Sequence, residues 1–416
     1  MWYRIQDFKD SVLAYIINLI KFYFFVGLYS IKYVGLHFYN LVLHPKRYTQ
    51  TKVSVPPPCL SNEINGQHQY VKLQKHKFHY VEKGDRTNRL VLLIHGYPEF
   101  WYSWRFQLQK LSSYYHVVAI DMKGYGDSDK PLSRNEYNID VVTQELRDFL
   151  TAIGSQKCTL ITHGQGGILG WNFISKYPDL VDNYISISSP HPTSFLQELE
   201  LNRVPQTGWH YFCQLPYVPE KEVMKQDMAI FDTIFSRMLN NKRGNMTQED
   251  LEAFKYTFSR KEDWVGPLNY IRALLKPQMY LGHTRKVRVP TLFIVGNADP
   301  FISLEMICKS SEYVDNFTLK IVEGGGHFLP QEMPNYINSI ILDFLKLPEV
   351  QLPTREFPTD QSIIKKMFGA GRTVVTSTVN YGNQALQVWS NSMEVVSQGV
   401  SLGKKVNSYK DKVFLI

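Results

Sequence analysis

The chain has 416 residues, 44% of them hydrophobic, which allows one large α/β domain with added segments. Its formal net charge is +8 at pH 7, but the basic residues are dispersed instead of forming a stripe, so nucleic acid is excluded as the expected partner. Four cysteines lie too far apart for a metal motif or a disulfide framework, and we expect no metal and no other cofactor.

The first element in the chain is an apolar segment, residues 11–29, with the sequence SVLAYIINLIKFYFFVGLY. As a helix it would be roughly 28 Å long, about the thickness of the hydrocarbon core of a bilayer. No small-residue cleavage site follows, so we predict a membrane anchor over residues 1–45 instead of a removable signal peptide or a buried core helix. Lys21 interrupts the apolar run, which leaves open a helix that lies in the membrane interface and continues to residue 43.

Basic residues are more numerous after the apolar segment than before it, which favours a main domain on the cytosolic side. We therefore expect the protein at the endoplasmic reticulum or on lipid droplets, with a membrane or lipid surface as its partner. The sequence points to no particular protein partner.

Residues 46–69 are predicted to form a linker, because they include the stretch VSVPPPCLSNEINGQ. From residue 70 onward, short β-rich runs alternate with helical stretches, which is typical of an α/β fold. Several runs are apolar throughout, as in a parallel sheet that is covered by helices on both faces. The seven predicted strands lie in HKFHYVEKG, RLVLLIHG, YYHVVAID, KCTLITHG, NYISISSP, PTLFIVGN and FTLKIVEGG.

Polar and glycine-rich motifs follow these strands, at the carboxyl ends where ligands bind in such sheets. One motif is His95-Gly96-Tyr97-Pro98, and a loop over residues 121–131 follows the next strand. The glycine-rich turn over residues 162–167 comes after the KCTLITHG run, and the last two strands lead to Asp299 and His327.

In this order, over about residues 70–346, the motifs resemble the epoxide hydrolase family of the α/β hydrolases. The resemblance implies a core in two parts, residues 70–194 and 286–347. A helical lid over residues 195–285 would separate these parts, and that stretch has a helical pattern and many aromatic residues.

The resemblance also implies roles for individual residues. In the family, a carboxylate at the glycine-rich turn attacks the epoxide and forms an ester, and a histidine oriented by an acid then activates water. His327 corresponds to this base and Asp299 to the acid. The backbone amides of Tyr97 and Gln165 correspond to the oxyanion hole, and Tyr211 to the first of two lid tyrosines that donate hydrogen bonds to the epoxide oxygen.

Two positions depart from the family pattern. At the turn the family has Gly-His-Asp-Trp-Gly-Gly, whereas this chain has Thr-His-Gly-Gln-Gly-Gly, so Gly164 stands in place of the nucleophilic aspartate. The second lid tyrosine is replaced by Ile271. Tyr270 precedes it, but on a helix its side chain would point about 100° away.

Glycine adopts the backbone of a nucleophile elbow without strain, so Gly164 preserves the turn and removes the reaction. Two hypotheses remain. The protein is a pseudoenzyme with a pocket for an apolar or lipid-like ligand, or it is a hydrolase in which Asp299 and His327 activate water directly on an epoxide, ester or lipid.

Each of these residues also has a purely structural interpretation. Asp299 and His327 could form a hydrogen-bonded pair that holds two loops together, and Tyr211 could be a packed aromatic side chain. The His95-Gly96-Tyr97-Pro98 motif could only shape its loop. His163 is expected to pack beneath the turn, and the loop over residues 121–131 is expected to be architectural.

Residues 348–416 are predicted to form a linker followed by an amphipathic tail. Apolar residues recur at three- and four-residue steps between residues 373 and 403, the spacing of one helix face. Such a tail could lie on a membrane or droplet surface, pack on the core domain or remain disordered.

Overall fold

The structure is a computed structural model that describes residues 2–48, 55–201, 204, 207–240, 245–274 and 286–346. The predicted linker and amphipathic tail over residues 348–416 lie outside these described residues. No ligand or partner chain is present.

Eight strands form a single sheet in the order β1-β2-β4-β3-β5-β6-β7-β8. The pairs β1–β2 and β2–β4 are antiparallel, and the remaining pairs are parallel. Strands β2 to β8 are the seven predicted from sequence. The strands are β1 (Gln67–Lys72), β2 (Lys77–Lys83), β3 (Leu90–Ile94), β4 (His116–Ile120), β5 (Cys158–His163), β6 (Val181–Ile187), β7 (Thr291–Gly296) and β8 (Phe317–Val322).

The central strands are buried on both faces. Every residue of β3, β4, β5 and β7 is buried, although neighbouring side chains on a strand point to opposite sides of the sheet. Helices must therefore cover both faces, which confirms the predicted α/β-hydrolase fold. The helices between and after the strands are α2 (Arg105–Leu111), α3 (Ile139–Ala152), α4 (Gly166–Lys176), α11 (Leu304–Ser310), α12 (Leu329–Glu332) and α13 (Pro334–Lys346).

Among the described residues, six α-helices lie between β6 and β7, and we call residues 192–274 the helical insertion. Helix α10 approaches the loop after β4 so closely that a Cβ at Gly266 would lie 2.4 Å from the Cα of Gly124. A glycine is therefore required where the insertion meets the core. The helices are α5 (Pro192–Glu200), α6 (Thr207–Phe212), α7 (Val218–Ile234), α8 (Ser236–Asn240), α9 (Gln248–Thr257) and α10 (Glu262–Leu274).

The apolar amino-terminal segment is part of one long helix, α1 (Trp2–Leu43). Its residues Ile16–Leu43 are long and apolar enough to cross a membrane, although one such helix near the amino terminus is weak evidence for a membrane anchor. Side chains of α1 pack against helix α6 of the helical insertion.

The predicted linker over residues 46–69 is more structured than expected. Two short 3₁₀ turns, Pro58–Ser61 and Glu63–Asn65, precede β1, and the backbone amide of Cys59 donates a hydrogen bond of 2.9 Å to Glu249. Strand β1 itself begins at Gln67, before the predicted start of the core. It was not predicted because it is a polar edge strand, largely exposed, with no apolar run to mark it.

Candidate active site

The glycine-rich turn connects β5 to α4 at the carboxyl edge of the sheet. Gly164 follows the last strand residue with a φ of +50°, in the left-handed region that favours glycine. Its amide donates a hydrogen bond of 3.1 Å to the Ile187 carbonyl, which holds the turn against β6. A Cβ built at Gly164 would lie 3.3 Å from Nε2 of His327. A side chain at this position would therefore point directly at the histidine.

His327 is paired with Asp299, as predicted from the two motifs. Its Nδ1 lies 2.8 Å from Oδ2 of Asp299, while Oδ1 accepts hydrogen bonds from the amides of Phe301 and Ile302. Burial alone would raise the pKa of Asp299, but His327 and the two amides lower it below its usual value. The charged carboxylate therefore fixes the ring with its Nε2 towards Gly164.

The His95-Gly96-Tyr97-Pro98 loop is held by a neutral histidine. Nδ1 of His95 donates to the Gly96 carbonyl at 2.9 Å, and Nε2 accepts from the amide of Met122 at 3.1 Å. Burial lowers the pKa of His95, which favours this single neutral tautomer. His95 thus shapes the loop and is not directed into the site.

Two backbone amides remain for an oxyanion. The N–H groups of Tyr97 and Gln165 make no hydrogen bond to any residue that the structure describes, and both residues line the same cavity as His327. Gln165 also lies at the amino terminus of helix α4, whose dipole favours negative charge. These two amides are the donors that the resemblance assigns to an oxyanion hole, and both are available among the described residues.

Beneath the turn lies a second buried pair, which the sequence did not predict. Nδ1 of His163 is 2.5 Å from Oε2 of Glu99, and its Nε2 is 2.9 Å from the backbone oxygen of His327. Burial alone would raise the pKa of Glu99, but His163 and the Gly96 amide lower it to about 2. Burial alone would lower the pKa of His163, but Glu99 raises it above its usual value. This ion pair ties the turn to the loops after β3 and β8.

A cavity of about 160 Å³ lies between these loops and the helical insertion. Its polar end carries His327, Gly164 and the two amides, and the rest of its wall is largely apolar. No carboxylate, thiol or amine side chain is among the lining residues. They are Tyr97, Pro98, Gly164, Gln165, Ile168, Ser188, Ser189, Pro190, Pro192, Phe195, Trp209, His210, Ile234, Ile271, Leu274, Phe301, Ile302, His327 and Phe328.

Ile271, at the position of the second lid tyrosine, and the preceding residue Tyr270 point in different directions in the structure. Ile271 does line the cavity, so a tyrosine there would reach the site. Tyr270 points away and packs against Tyr125 and Tyr137, with ring centroids 5.9 and 5.2 Å apart. It does not replace the missing tyrosine.

Tyr211 is not among the cavity-lining residues, which corrects the role assigned to it by resemblance. Its ring stacks on Tyr29 of helix α1, with centroids 5.8 Å apart and planes 1° from parallel. Phe25 stacks on the same ring at 5.4 Å. Helix α1 therefore takes the face of α6 that carries Tyr211, while Trp209 and His210 of the same helix face the cavity.

Ser188 is a cavity residue that sequence analysis missed. It has a φ of +49°, which is unusual for a residue with a side chain, and its buried hydroxyl has no hydrogen-bond partner among the described residues. It directly follows β6 at the carboxyl edge of the sheet, so the rule that ligands bind at strand ends could have identified it.

One group of potential metal ligands occurs among the described residues, His76, Glu136 and Glu145. Nζ of Lys123 lies 2.6 Å from Glu145 and 3.9 Å from Glu136. The ammonium group of Lys123 therefore already provides these carboxylates with the positive charge that a metal ion would provide. None of these residues lines the cavity. The arrangement fits a structural ion pair better than a metal site.

Comparisons with known proteins agree with this architecture. A family model described as alpha/beta hydrolase fold matches residues 89–332. The chain is 38% identical to Epoxide hydrolase 4 of Homo sapiens over 70% of this chain and 82% of that protein. It is 34% identical to Epoxide hydrolase 1 of Caenorhabditis elegans over 79% of this chain and 81% of that protein.

A solved structure of a Bacillus megaterium epoxide hydrolase in complex with an inhibitor is 27% identical, with a TM-score of 0.61 over 67% of this chain and 100% of that chain. The fold and the site thus define an α/β hydrolase. Within that class, the chain belongs to the epoxide hydrolase family.

Proposed function

We propose that this member of the epoxide hydrolase family is a membrane-anchored pseudoenzyme that binds an apolar or lipid-like ligand. The observation that carries the proposal is the absence of a side chain at Gly164, on the position that points at Nε2 of His327. In the family mechanism that position must supply the carboxylate that attacks the epoxide carbon.

The described residues of the cavity offer no replacement for this carboxylate. They include no aspartate, glutamate or cysteine, and Ile271 removes one of the two donors that would stabilise the opening oxygen. Both losses affect the ring-opening step, one at the attacking carboxylate and the other at the departing oxygen, and they support the loss of epoxide hydrolysis through an ester intermediate.

The shape and polarity of the cavity indicate the class of ligand. An apolar protein cavity of about 150 Å³ holds a molecule the size of benzene, and this cavity, at about 160 Å³, is similar. Against this largely apolar lining, the amides of Tyr97 and Gln165 and Nε2 of His327 are available to bind a polar group. We therefore expect an apolar molecule or chain with one oxygen-containing group, held beneath the helical insertion as a lid.

The alternative function is direct hydrolysis. Asp299 and His327 have the geometry of a general base with its orienting acid, and the oxyanion donors are available. Such a site could activate water on an epoxide, ester or lipid without a covalent intermediate. The intact hydrogen bond between the two residues is the observation that favours this second candidate.

We further propose that helix α1 anchors the protein at the endoplasmic reticulum or a lipid droplet, with the main domain facing the cytosol. The length and apolar composition of Ile16–Leu43 support this anchor, and the excess of basic residues after the apolar segment supports the orientation.

Native mass spectrometry of the full chain tests the proposal. We expect a retained apolar molecule that survives incubation unchanged. Ile271→Trp should fill the cavity and abolish retention, whereas Ile321→Trp, at an exposed position on β8, should not. Turnover of any epoxide or ester that His327→Ala abolishes would favour the alternative and contradict the pseudoenzyme.

A further inference from the structure

Helix α1 has one face that packs on the helical insertion. Tyr29 lies against Tyr211, and Tyr33 stacks on Phe212 with centroids 4.7 Å apart. Further along, Nδ1 of His37 lies 2.6 Å from Oε1 of Glu222. The protein-facing side chains recur every three or four residues and are buried or half-buried; they are Phe22, Phe25, Val26, Tyr29, Ser30, Tyr33, Leu36, His37 and Asn40.

The opposite face of α1 is exposed and apolar from Ile17 to Val42. Ile31 is 78% exposed, Val42 73% and Phe24 64%. At about 100° per residue these side chains fall on one stripe, on the other side of the helix from Tyr33. The stripe consists of Ile17, Ile20, Phe24, Leu28, Ile31, Phe38 and Val42. A continuous apolar stripe of this kind marks an interaction surface.

Two lysines border the stripe on one side. Lys21 and Lys32 are both exposed, and their separation of eleven residues is about three helical turns, so they project in nearly the same direction. A helix that crosses a bilayer would place them roughly 16 Å apart in depth, with one of them in the hydrocarbon. A helix that lies in the plane of the membrane lets both reach the headgroups.

We propose that α1 is an in-plane membrane helix, with its apolar stripe in the lipid, its lysines at anionic headgroups and its opposite face holding the helical insertion on the membrane surface. The inference rests on the anchoring part of the proposed function and specifies its geometry. The partner it commits to is a lipid surface.

The packing of α1 excludes a simple crossing. Its contacts with the insertion extend from Phe22 to His37, which is roughly 22 Å of helix. Glu222 also lies 2.7 Å from Lys225, so this contact surface includes partly buried charged groups of the insertion. A crossing helix with these contacts would draw these charges into the hydrocarbon, at a cost that an in-plane helix avoids.

The same geometry gives the cavity a membrane-facing wall. Phe195 and Trp209 line the cavity, and both also belong to the packing around α1. Trp209 lies next to Tyr33, and Phe195 packs against the same apolar cluster as Phe25 and Tyr29. An apolar ligand dissolved in the lipid would meet the protein beside this wall.

Topology in sealed microsomes tests the inference on the full chain. One epitope tag is placed at the amino terminus and a second in the exposed turn at Gly154, where the structure leaves open space. An in-plane helix predicts that protease reaches both tags or neither. Protection of one tag alone would show a crossing helix, which overturns the inference but leaves the anchor standing. Release of the chain by a carbonate wash would instead contradict the proposed membrane anchor itself.

Substitutions on the two faces give an independent test by flotation with vesicles. Ile31→Glu should weaken binding to phosphatidylcholine vesicles by about tenfold or more and leave the melting temperature unchanged. Lys21→Glu with Lys32→Glu should weaken binding only when the vesicles contain phosphatidylserine. If Ile31→Glu instead converts a dimer to a monomer and leaves vesicle binding unchanged, a second copy covers the stripe and the inference is wrong.

Discussion

Gly164 combines two properties that explain why it can occupy the tip of the turn. Its φ of +50° is one that residues with side chains rarely adopt, and its missing Cβ would stand 3.3 Å from Nε2 of His327. The first property concerns the stability of the turn and the second concerns its chemistry. The two can be separated by substitution.

Gly164→Ala should lower the free energy of unfolding by about 1–2 kcal/mol, because alanine is strained in the left-handed region. Gly324→Ala is the matched control, since Gly324 has a φ of +67° and open space around it. Urea denaturation of both variants measures the losses. A much larger loss for Gly164→Ala would show that the elbow cannot accept any side chain.

The buried pair of Glu99 and His163 predicts a specific pH dependence. Because the pKa of Glu99 is lowered to about 2, its stabilising contribution is complete above the usual value of 4.5 and is lost as the pH falls towards 2. Because the pKa of His163 is raised, the contribution of its charge is complete below the usual value of 6.5 and is lost as the pH rises through the raised value.

Glu99→Gln should therefore cost most stability between about pH 4.5 and 6.5, on the order of 3–5 kcal/mol for a broken buried pair. The difference from the native chain should shrink at lower pH, where the native carboxylate is also neutral. Glu323→Gln, at an exposed position, serves as the control. A difference that is independent of pH would contradict the ion pair.

Sequence motifs predicted the site residues that lie at strand ends, but not those that depend on packing. His327, Tyr97 and Gln165 line one cavity, with Asp299 hydrogen-bonded to His327, because their loops follow parallel strands. Glu99 directly follows the His95-Gly96-Tyr97-Pro98 motif, yet nothing in its spacing shows that it contacts His163. A buried ion pair between two loops is set by side-chain direction, which a linear pattern does not contain.

At the scale of elements, helix α6 shows how a distant segment changes the role of a residue. The sequence indicates that Tyr211 lies in the insertion, but it does not indicate whether the side chain faces the cavity or helix α1. In the structure α1 provides the stacking partners Phe25 and Tyr29, more than 180 residues earlier in the chain. Resemblance to the family could not reveal that α1, and not the cavity, contacts this side chain.

Tyr211→Ala should weaken the contact between α1 and the insertion by about 3–5 kcal/mol, because it removes a large buried aromatic ring. Tyr211→Phe keeps the stacked ring and should retain most of the stability. Thermal unfolding and the rate of proteolysis measure both variants, with Tyr336→Ala as an exposed control. Loss of ligand retention in Tyr211→Phe without loss of stability would restore Tyr211 to the binding site.

At the scale of the whole molecule, the apolar strand runs and their helical spacers were sufficient to predict seven strands and the class of fold. Strand β1 was missed because most of its side chains are polar and four of its six residues are exposed at an edge. The packing of α1 against the insertion was also not predicted. The sequence of an apolar helix near the amino terminus does not indicate which segment of the protein one of its faces contacts.

Removal of α1 should make the rest of the chain aggregate, because it uncovers the aromatic surface of α6 formed by Trp209, Tyr211 and Phe212. Light scattering of a chain that begins at residue 55 measures this, and the same chain with Tyr211→Lys should scatter less. A monodisperse truncated chain with the melting temperature of the full chain would mean that α1 is a dispensable anchor.

The central claim is that the site binds without forming an ester. Intact-mass and diol analysis after incubation with an aryl epoxide tests it most directly, using the native chain, His327→Ala, and Gly164→Asp combined with Ile271→Tyr. The account predicts neither adduct nor diol from the native chain, and an adduct with measurable diol from the double variant, whose new carboxylate points at His327. The oxyanion hole and dyad alone would leave at most about 10³–10⁴-fold catalysis over water. Rapid diol formation by the native chain that His327→Ala abolishes would contradict the account.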